Sequence, residues 1–439
     1  MVVTRIPPSP TGRFHIGTAR TALFNYLYAK KHGGTFLLRI EDTDRERSDA
    51  AHEQDIVEGL RWLGLIHDGE MVRQSERLNR HTELLKKLVA DDKAYVSKEP
   101  SVKEEGKEVE VVRLRNEGRS ITFNDEVRGT ITFDTTELGD FVIGRAIDDP
   151  LYHFAVVVDD ADMNVTHVIR GEDHISNTPR QILIQEALGF TRPVYAHLPL
   201  ILASDRSKMS KRHGAVSLSE YRAEGFIPEG VINYLALLGW GPGDDREDFS
   251  LAELVEMFDL GGVHKGGAMF DLVKFKSVNH HWMRKLSDAV YLSHLPEIAQ
   301  KELLLKAVPL LKDRAQTFGE ARGLLEGELS CLFTPPSPDK EGLMAKEVAG
   351  QGSTKASLEA VLGVIEGLPE EVSPEGAKEA IMPLADGEEG RYKGGRGAVL
   401  WPLRYALSGL PKSPDPFTLV SLVGKEEAAS RVRTALAIL

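Results

Sequence analysis

The segment Pro8-Ser9-Pro10-Thr11-Gly12-Arg13-Phe14-His15-Ile16-Gly17-Thr18 puts a proline-braced, glycine-containing turn between an apolar run, Val2 to Ile6, and a helical pattern that starts at once. In a parallel α/β sheet such a turn opens the ligand crevice, where free N–H groups and the positive end of the helix favour phosphate. Gly17 lets a nucleotide approach the backbone closely, and His15 could donate to an α- or β-phosphate. The competing reading is a braced turn with His15 as an ordinary helix cap. A second segment, Lys208-Met209-Ser210-Lys211-Arg212-His213-Gly214, carries two lysines on a loop. Alone it resembles any solvated basic loop. Together with the histidine segment it supplies charge neutralisation for a triphosphate as pyrophosphate leaves. The chain has no G-x-x-x-x-G-K-[ST], so this loop would stand in for a P-loop lysine.

Other candidates suit an amino acid. Glu41 ends the apolar run Phe36-Leu37-Leu38-Arg39-Ile40, and a carboxylate there suits an ammonium group or a ribose hydroxyl. Arg170 ends another strand-like run and with Arg5 could clamp a carboxylate, because the planar guanidinium binds carboxylates bidentately. Arg170 could equally pair with Asp159 or Asp173. The competing reading of Asp44 to Arg47 is a solvated charge run, and it is the preferred one for Glu46 and Arg47.

The elements that would hold these residues alternate short apolar runs with helical periodicity, which predicts a βαβ parallel sheet. Ala19, Ala22, Leu23, Tyr26 and Leu27 recur at helical spacing, and Gly33-Gly34 stops that helix. Helices are expected over Glu53 to Leu63 and Leu78 to Val89. Phe154 to Val158, Val165 to Arg170 and Val194 to Ala203 are expected as strands. Thr178-Pro179 is an N-cap followed by proline. The region from Val96 to Ile147 differs: a charged run (Lys98 to Arg115), then β-like segments at Ser120 to Phe123 and Thr130 to Phe133, as in an insertion between two halves of one nucleotide-binding fold. Capping boxes at Ser217…Glu220 and Ser250…Glu253 open helices, and beyond about residue 288 the pattern is mostly helical.

The 439 residues, 41% hydrophobic and 28% charged, allow about three packed domains. Fifty-four basic against 67 acidic residues leave a net charge of −13, which excludes a general DNA-coating protein but not a local basic groove. A single cysteine, Cys331, excludes an intrachain disulfide and any multi-cysteine zinc site. No apolar run is long enough for a signal peptide or a bilayer span, so a cytoplasmic protein is expected. The sequon Asn164-Val165-Thr166 is discounted on that ground.

Taken together these motifs resemble the bacterial-type glutamyl-tRNA synthetases, class I aminoacyl-tRNA synthetases. The likeness rests on PSPTGRFHIGTARTALFN, LRIEDTDRERS, AVVVDD, THVIRGEDHISNTPRQ and KMSKRHGAVSLSEY, and it returns at Trp401 to Gly409. The resemblance implies an α/β fold: a Rossmann-like catalytic domain in two halves (1–95 and 148–205), interrupted by a shortened acceptor-stem-binding insertion (96–147). A stem-contact domain carrying the KMSKR loop (206–287) and a helical anticodon-binding domain (288–439) follow. It implies catalysis by His15, Lys208 and Lys211. ATP would lie against Ser9, Thr11, His15, Gly17, Thr18 and Asp173 on one side, and against Lys208, Met209, Ser210, Lys211 and Arg212 on the other. Glutamate would be held by Arg5, Ser9, Glu41, Tyr152 and Arg170, with the two arginines on its side-chain carboxylate and Glu41 on its α-ammonium. Arg314 resembles an arginine that reads the third anticodon base.

The implied partners are ATP with Mg²⁺, L-glutamate and tRNA(Glu), with tRNA(Gln) as an alternative acceptor, and the implied state is a monomer. Activation of glutamate would need bound tRNA. The chain departs from the family pattern in three places. It has no cysteine between Tyr95 and Arg128, so no zinc is expected there. The insertion is short after Tyr95, and Pro150-Leu151-Tyr152 replaces the usual Pro-Thr-Tyr. A non-enzymatic tRNA-binding paralogue is the competing class, against which His15 and Lys211 are both present.

Overall fold

The structure is a computed structural model that describes residues 1–44, 46–100, 108–210, 212, 217–345, 354–386 and 395–439. Lys211, Arg45, the middle of the charged run and the glycine-rich joint at 387–394 lie outside the described residues. The chain forms two compact units, Met1–Trp282 and Met283–Leu439.

The first unit is built on parallel strands. β1 (Val3–Ile6) pairs in parallel with β2 (Thr35–Ile40), which pairs in parallel with β3 (Val72–Arg73). α1 (Ile16–Lys31) crosses between β1 and β2, α2 (Ala50–Trp62) follows β2, and α3 (Leu78–Ala90) follows β3. The periodicity of α1 is borne out: Ala19, Ala22, Leu23 and Leu27 are fully buried. The helix ends at Lys31, with Gly33 at φ +58°, a left-handed conformation that glycine adopts at no steric cost. The apolar run of β2 is buried against Phe24, Trp240 and Phe258 in one core cluster.

Residues 94–150 form antiparallel strands: β4 (Ala94–Pro100), β5 (Glu108–Leu114), β6 (Ser120–Asp125), β7 (Gly129–Asp134), β8 (Phe141–Ala146) and β9 (Asp149–Pro150). Four of them make a sheet in the order β4-β5-β8-β9. The β6–β7 hairpin does not join it. Instead β6 adds in parallel to β11 (Val194–Leu198), itself parallel to β10 (His167–Gly171), giving the order β10-β11-β6-β7. β10 is tied to β1 through Thr166, whose N–H donates to the Val3 carbonyl (3.0 Å) and whose hydroxyl accepts from the Val3 N–H (2.8 Å).

Three expectations are corrected. Phe154 to Val158 lies in a helix, α4 (Tyr152–Asp162), not a strand, because every residue from Phe154 to Asp160 is buried. A helix buried all round shows the same unbroken apolar run as a buried strand. The segment Val194 to Ala203 is interrupted at Pro199 and continues as a separate short strand, β12 (Ile201–Leu202). Thr178 does not cap its helix: α5 (Thr178–Leu188) begins with it, Asn177 holds the cap position, and the threonine hydroxyl is turned elsewhere.

The remainder of the unit is helical: α6 (Leu218–Ala223), α7 (Pro228–Leu237), α8 (Leu251–Met257) and α9 (Leu272–Lys285), with β13 (Ala268–Met269) paired to β12. Both capping boxes are present, at Ser217/Glu220 and Ser250/Glu253. The second unit contains ten helices among the described residues, from Asp288–Ser293 to Lys425–Leu436, and no strand among them. Its core includes the buried Arg431, whose Nη1 donates to the carbonyls of Cys331 (2.9 Å) and Leu407 (2.7 Å). No helix among the described residues is long and apolar enough to cross a membrane.

Gly59 in α2 is where the loop before α1 is pinned. A Cβ there would lie 2.5 Å from Phe14 Cδ1 and 3.1 Å from Leu218 Cδ2. Replacing glycine in a helix gains under about 1 kcal/mol of propensity, whereas overpacking a tight core costs about 1–3 kcal/mol, so crowding wins. Gly59→Val should lower the urea midpoint by displacing Phe14 from beside His15. An unchanged midpoint in tryptophan-monitored urea unfolding would show that Phe14 is not fixed there.

Candidate active site

The carboxyl ends of β1 and β10, the turn after β1, the start of α1 and the segment after β12 surround a cavity of about 620 Å³. Its lining carries Arg5, Arg13, Arg20, Arg170 and Lys208 against a single acidic side chain among the described residues, Asp173. That imbalance favours a polyanionic ligand.

His15 is the N-cap of α1 and accepts the Thr18 N–H on Nδ1 at 3.3 Å, as the cap reading expects. With Nδ1 accepting, Nε2 carries the proton, and it lies 3.1 Å from the Thr18 hydroxyl at the cavity wall. Burial, reinforced by the nearby Lys208 charge, lowers the pKa of His15 and keeps the ring neutral at pH 7. Across the cavity a turn with Arg206 at φ +63° follows β12 and returns Met209 to donate to the Ile201 carbonyl at 3.0 Å. This holds Lys208 against Asp173, with Nζ to Oδ2 at 2.7 Å. Burial alone would raise the Asp173 pKa, but the lysine overrides it and holds the carboxylate ionised.

The floor is a buried charge network. Arg5 donates from Nε and Nη2 to the two oxygens of Asp160 (3.1 and 3.2 Å), and Arg39 donates from Nη1 to Asp160 Oδ1 (2.6 Å). Arg39 Nη2 then donates to Glu41 Oε1 at 3.1 Å. Burial would raise Asp160, but Arg5 and Arg39 outweigh it and hold its pKa below the usual range. For Glu41 burial wins over Arg39, and its pKa is raised. Arg5 Nη1 is buried without a hydrogen-bond partner among the described residues, and Arg5 lines the cavity.

Arg170 is held differently. Its donors go to His197 Nε2 (3.2 Å), Gln181 Oε1 (2.8 Å) and Thr178 Oγ1 (2.8 Å), all neutral groups. Neither Asp159 nor Asp173 pairs with it. Asp159 is taken by His81, Arg77 and Gln74, and Asp173 by Lys208. Arg170 is 6% exposed on the cavity wall, and its pKa is lowered by burial. A buried cation with no carboxylate partner among the described residues is an anion site left open. Beside it, Tyr152 is pushed up to about 12 by burial, and His174 is pulled down to about 4 by burial and then by Arg170. Both stay uncharged.

The cavity thus gathers Arg5, Ser9, His15, Gly17, Thr18, Tyr152, Arg170, Asp173, Lys208, Met209 and Ser210 from the expected set. Thr11, Glu41 and Arg212 are not on its lining, and Glu41 lies behind the arginines through Arg39. Arg314 belongs to the second unit, at the end of helix Lys301–Arg314, paired with Glu328 at 3.4 Å. Sequence reasoning passed over Arg20, Arg39, Asp160 and His197. Each is a polar residue inside an apolar pattern, which is itself the signal. Arg20 donates to the carbonyls of Leu238 and Pro199, and burial pulls its pKa down to about 10.

The family model for the catalytic domain of class I tRNA synthetases (E and Q) matches residues 1–109 and 97–277, and an anticodon binding domain model matches 276–436. The chain is 40% identical over 479 residues to glutamate–tRNA ligase 1 of Mesorhizobium japonicum, covering 98% of each chain. It is 41% identical over 481 residues to glutamate–tRNA ligase 2 of Novosphingobium aromaticivorans, covering 98% and 96% respectively. A crystal structure of a glutamate tRNA ligase from Elizabethkingia meningosepticum, in complex with its amino acid, superposes with a TM-score of 0.85 at 31% identity, covering 100% and 99% of the two chains.

Glu41 provides a test of the floor electrostatics. Because its folded pKa is raised, its favourable contribution is complete below the unfolded pKa and is lost as pH rises through the folded value. Glu41→Gln keeps an acceptor for Arg39 without that loss. Its thermal midpoint relative to wild type should therefore climb as pH rises from about 4 to 8, while ligand binding falls. A pH-independent difference in melting curves would refute the raised pKa.

Proposed function

The chain belongs to the class I tRNA synthetases of the glutamate and glutamine branch, and from that premise we propose that it is a glutamate–tRNA ligase, joining L-glutamate to tRNA(Glu) through glutamyl-adenylate. The observation that carries the amino-acid assignment is Arg170, a buried guanidinium on the cavity wall that meets only neutral acceptors among the described residues. Arg170 and the free Nη1 of Arg5 receive the side-chain carboxylate, Tyr152 and Ser9 flank it, and Glu41 supplies negative charge for the α-ammonium.

ATP lies along the start of α1, with Ser9, Thr11, Gly17 and Thr18 at the backbone approach and His15 Nε2–H donating to phosphate. The glutamate α-carboxylate attacks the α-phosphorus in line and pyrophosphate leaves. No side-chain nucleophile is required, so catalysis is positioning and charge stabilisation. Lys208 and Lys211, with Met209, Ser210 and Arg212 shaping their loop, share the charge on the departing pyrophosphate with the Mg²⁺ that accompanies ATP. The one acidic lining residue among those described, Asp173, is engaged by Lys208, which fits a metal carried in on the nucleotide rather than caged by the protein. A ribose hydroxyl of the terminal adenosine, the 2′-hydroxyl by class, then attacks the adenylate carbonyl. A zinc site in 96–147 has no cysteine donors available.

By this reading 1–95 and 148–205 are the catalytic halves, 96–147 grips the acceptor end, 206–287 contacts the stem, and 288–439 reads the anticodon with Arg314. The enzyme works as a cytoplasmic monomer.

Aminoacylation with radiolabelled glutamate on purified tRNA(Glu) and tRNA(Gln), with ATP–pyrophosphate exchange in the presence and absence of tRNA, tests this. Charging of tRNA(Glu) alone is expected, with exchange only when tRNA is bound. Charging of both would make the enzyme non-discriminating. Tight tRNA binding without charging of either would overturn the reading in favour of a non-enzymatic paralogue. In the same assay Arg170→Ala should raise the glutamate KM about 100-fold, the equivalent of the ~3 kcal/mol expected for lost charge-assisted hydrogen bonds, and move the ATP KM little. Equal changes in both would remove Arg170 from the side-chain carboxylate.

A further inference from the structure

Three adjacent strands place an aspartate, a histidine and an arginine in a row. Arg170 on β10 and His197 on β11 are cross-strand partners in the parallel register, and Asp125 ends β6 on the far side of β11. Asp125 Oδ2 lies 2.6 Å from His197 Nδ1, and both side chains are fully buried. Asp125 Oδ1 accepts the His197 N–H at 3.2 Å and the N–H groups of Val127 and Arg128 at 3.0 and 2.8 Å. The carboxylate is therefore fixed by backbone before it meets the ring.

The proton positions follow from the partners. Arg170 Nε can only donate, so His197 Nε2 must accept, and the ring proton must sit on Nδ1, where Asp125 takes it. The hydroxyl of Thr178 also lies 3.2 Å from Nε2, and it has the carbonyl of His174 as its own acceptor at 3.3 Å. The chain of donors thus runs one way, from Arg170 to His197 and from His197 to Asp125. Arg170 is a cavity residue, whereas His197 and Asp125 are not on the lining. Whatever they do for substrate is done through the arginine.

We infer that His197, held in one tautomer by Asp125, is a positioning residue that locks the guanidinium of Arg170 in the orientation that receives the substrate's side-chain carboxylate, and so sets the preference for glutamate over glutamine. This rests on the assignment of Arg170 proposed above. With Nε anchored by His197, Nη1 by Gln181 and Nη2 by Thr178, each nitrogen is tethered and the plane cannot turn. Nη2 reaches the His174 carbonyl as well, at 3.5 Å, so the N–H left for substrate is on Nη1. It can only donate, and the fixed positive charge beside it favours a carboxylate over a neutral carboxamide, whose own N–H groups would find no acceptor on the guanidinium. Loss of the Nε anchor leaves only the tethers at Nη1 and Nη2, which loosens the guanidinium and blunts that distinction. The hairpin that carries Asp125 lies in the segment proposed to grip the acceptor end, so the same row of residues joins that segment to the amino-acid pocket.

The experiment is steady-state aminoacylation of tRNA(Glu) by full-length wild type, His197→Leu, His197→Gln and Asp125→Asn, with glutamate and glutamine as competing substrates and thermal unfolding as the folding control. Leucine removes the acceptor. Glutamine retains one at the position of Nε2. The carboxamide introduced by Asp125→Asn can present an N–H to Nδ1 and so turn the ring proton onto Nε2, against Arg170.

His197→Leu should raise the glutamate KM about 10-fold or more and lower the glutamate-to-glutamine ratio of kcat/KM by a similar factor, with the ATP KM and kcat within about 3-fold. His197→Gln should recover most of the loss, and Asp125→Asn should shift the same two quantities in the same direction. A purely packing role for His197 would make leucine and glutamine equivalent, and that result would overturn the inference. So would a parallel rise in the glutamate and ATP KM values. Should His197→Leu fail to fold, the other two variants decide: an unchanged glutamate KM and selectivity in Asp125→Asn would also reject it. Wild type that does not charge glutamate at all would instead bring down the proposed function on which the role depends.

Discussion

The first unit depends on one buried carboxylate. Asp160 takes two charge-assisted hydrogen bonds from Arg5 and one from Arg39, so β1, β2 and α4 are tied at a single point beneath the cavity. Removing charges from water is costly unless each is paired, and this network pairs two guanidinium groups with Asp160 and Glu41 at hydrogen-bond distance. Two guanidinium groups in an apolar setting are thereby held by the Asp160 carboxylate, with Glu41 beyond Arg39, as a rigid floor. The neighbouring Asp159 turns the other way and fixes α3 through His81 and Arg77. Two successive aspartates on one helix thus bind different elements, Asp160 the strands β1 and β2 and Asp159 the region of α3.

Against that paired floor the exceptions acquire meaning. Arg170 is equally buried yet is met by a histidine ring, an amide oxygen and a hydroxyl, so its charge remains uncompensated. At the other end of the cavity Lys208 is exposed, and Asp173 holds it by an ion pair at 2.7 Å. The two ends differ in how the free protein carries its positive charge. One cation is partnered by a carboxylate; the other meets only neutral acceptors among the described residues. By the reading proposed above, the first faces a triphosphate with several negative charges and the second a carboxylate with one.

The motifs with local signatures were legible in the sequence because their chemistry is local. A proline-braced turn before an amphipathic helix, a capping box, or a glycine stop needs only neighbours in the chain, and His15, Gly33, Ser217 and Ser250 appear in the structure as their spacing requires. The α4 segment was misread for a related reason. Phe154 to Val158 is apolar on every side, and periodicity carries no information where there is no exposed face. Thr178 shows the opposite failure: its position next to proline predicted a cap, but the helix already includes it and its hydroxyl accepts from Arg170, eight positions earlier in the chain.

By itself the sequence determined the parallel α/β start, the helical remainder, the family resemblance and eleven of the residues that line the cavity, since all of these are written in order and spacing along the chain. Only the tertiary structure decided which charges neutralise one another. Arg5 and Asp160 are 155 positions apart, Arg39 and Asp160 121, and Asp125 and His197 72. No spacing rule connects such residues. Their pairing is set by which strands become neighbours, and strand order across a sheet is decided by packing rather than by sequence distance. The same physics explains why Arg170 could be recognised as a candidate from its place at the end of a strand, while the fact that no carboxylate reaches it among the described residues could not.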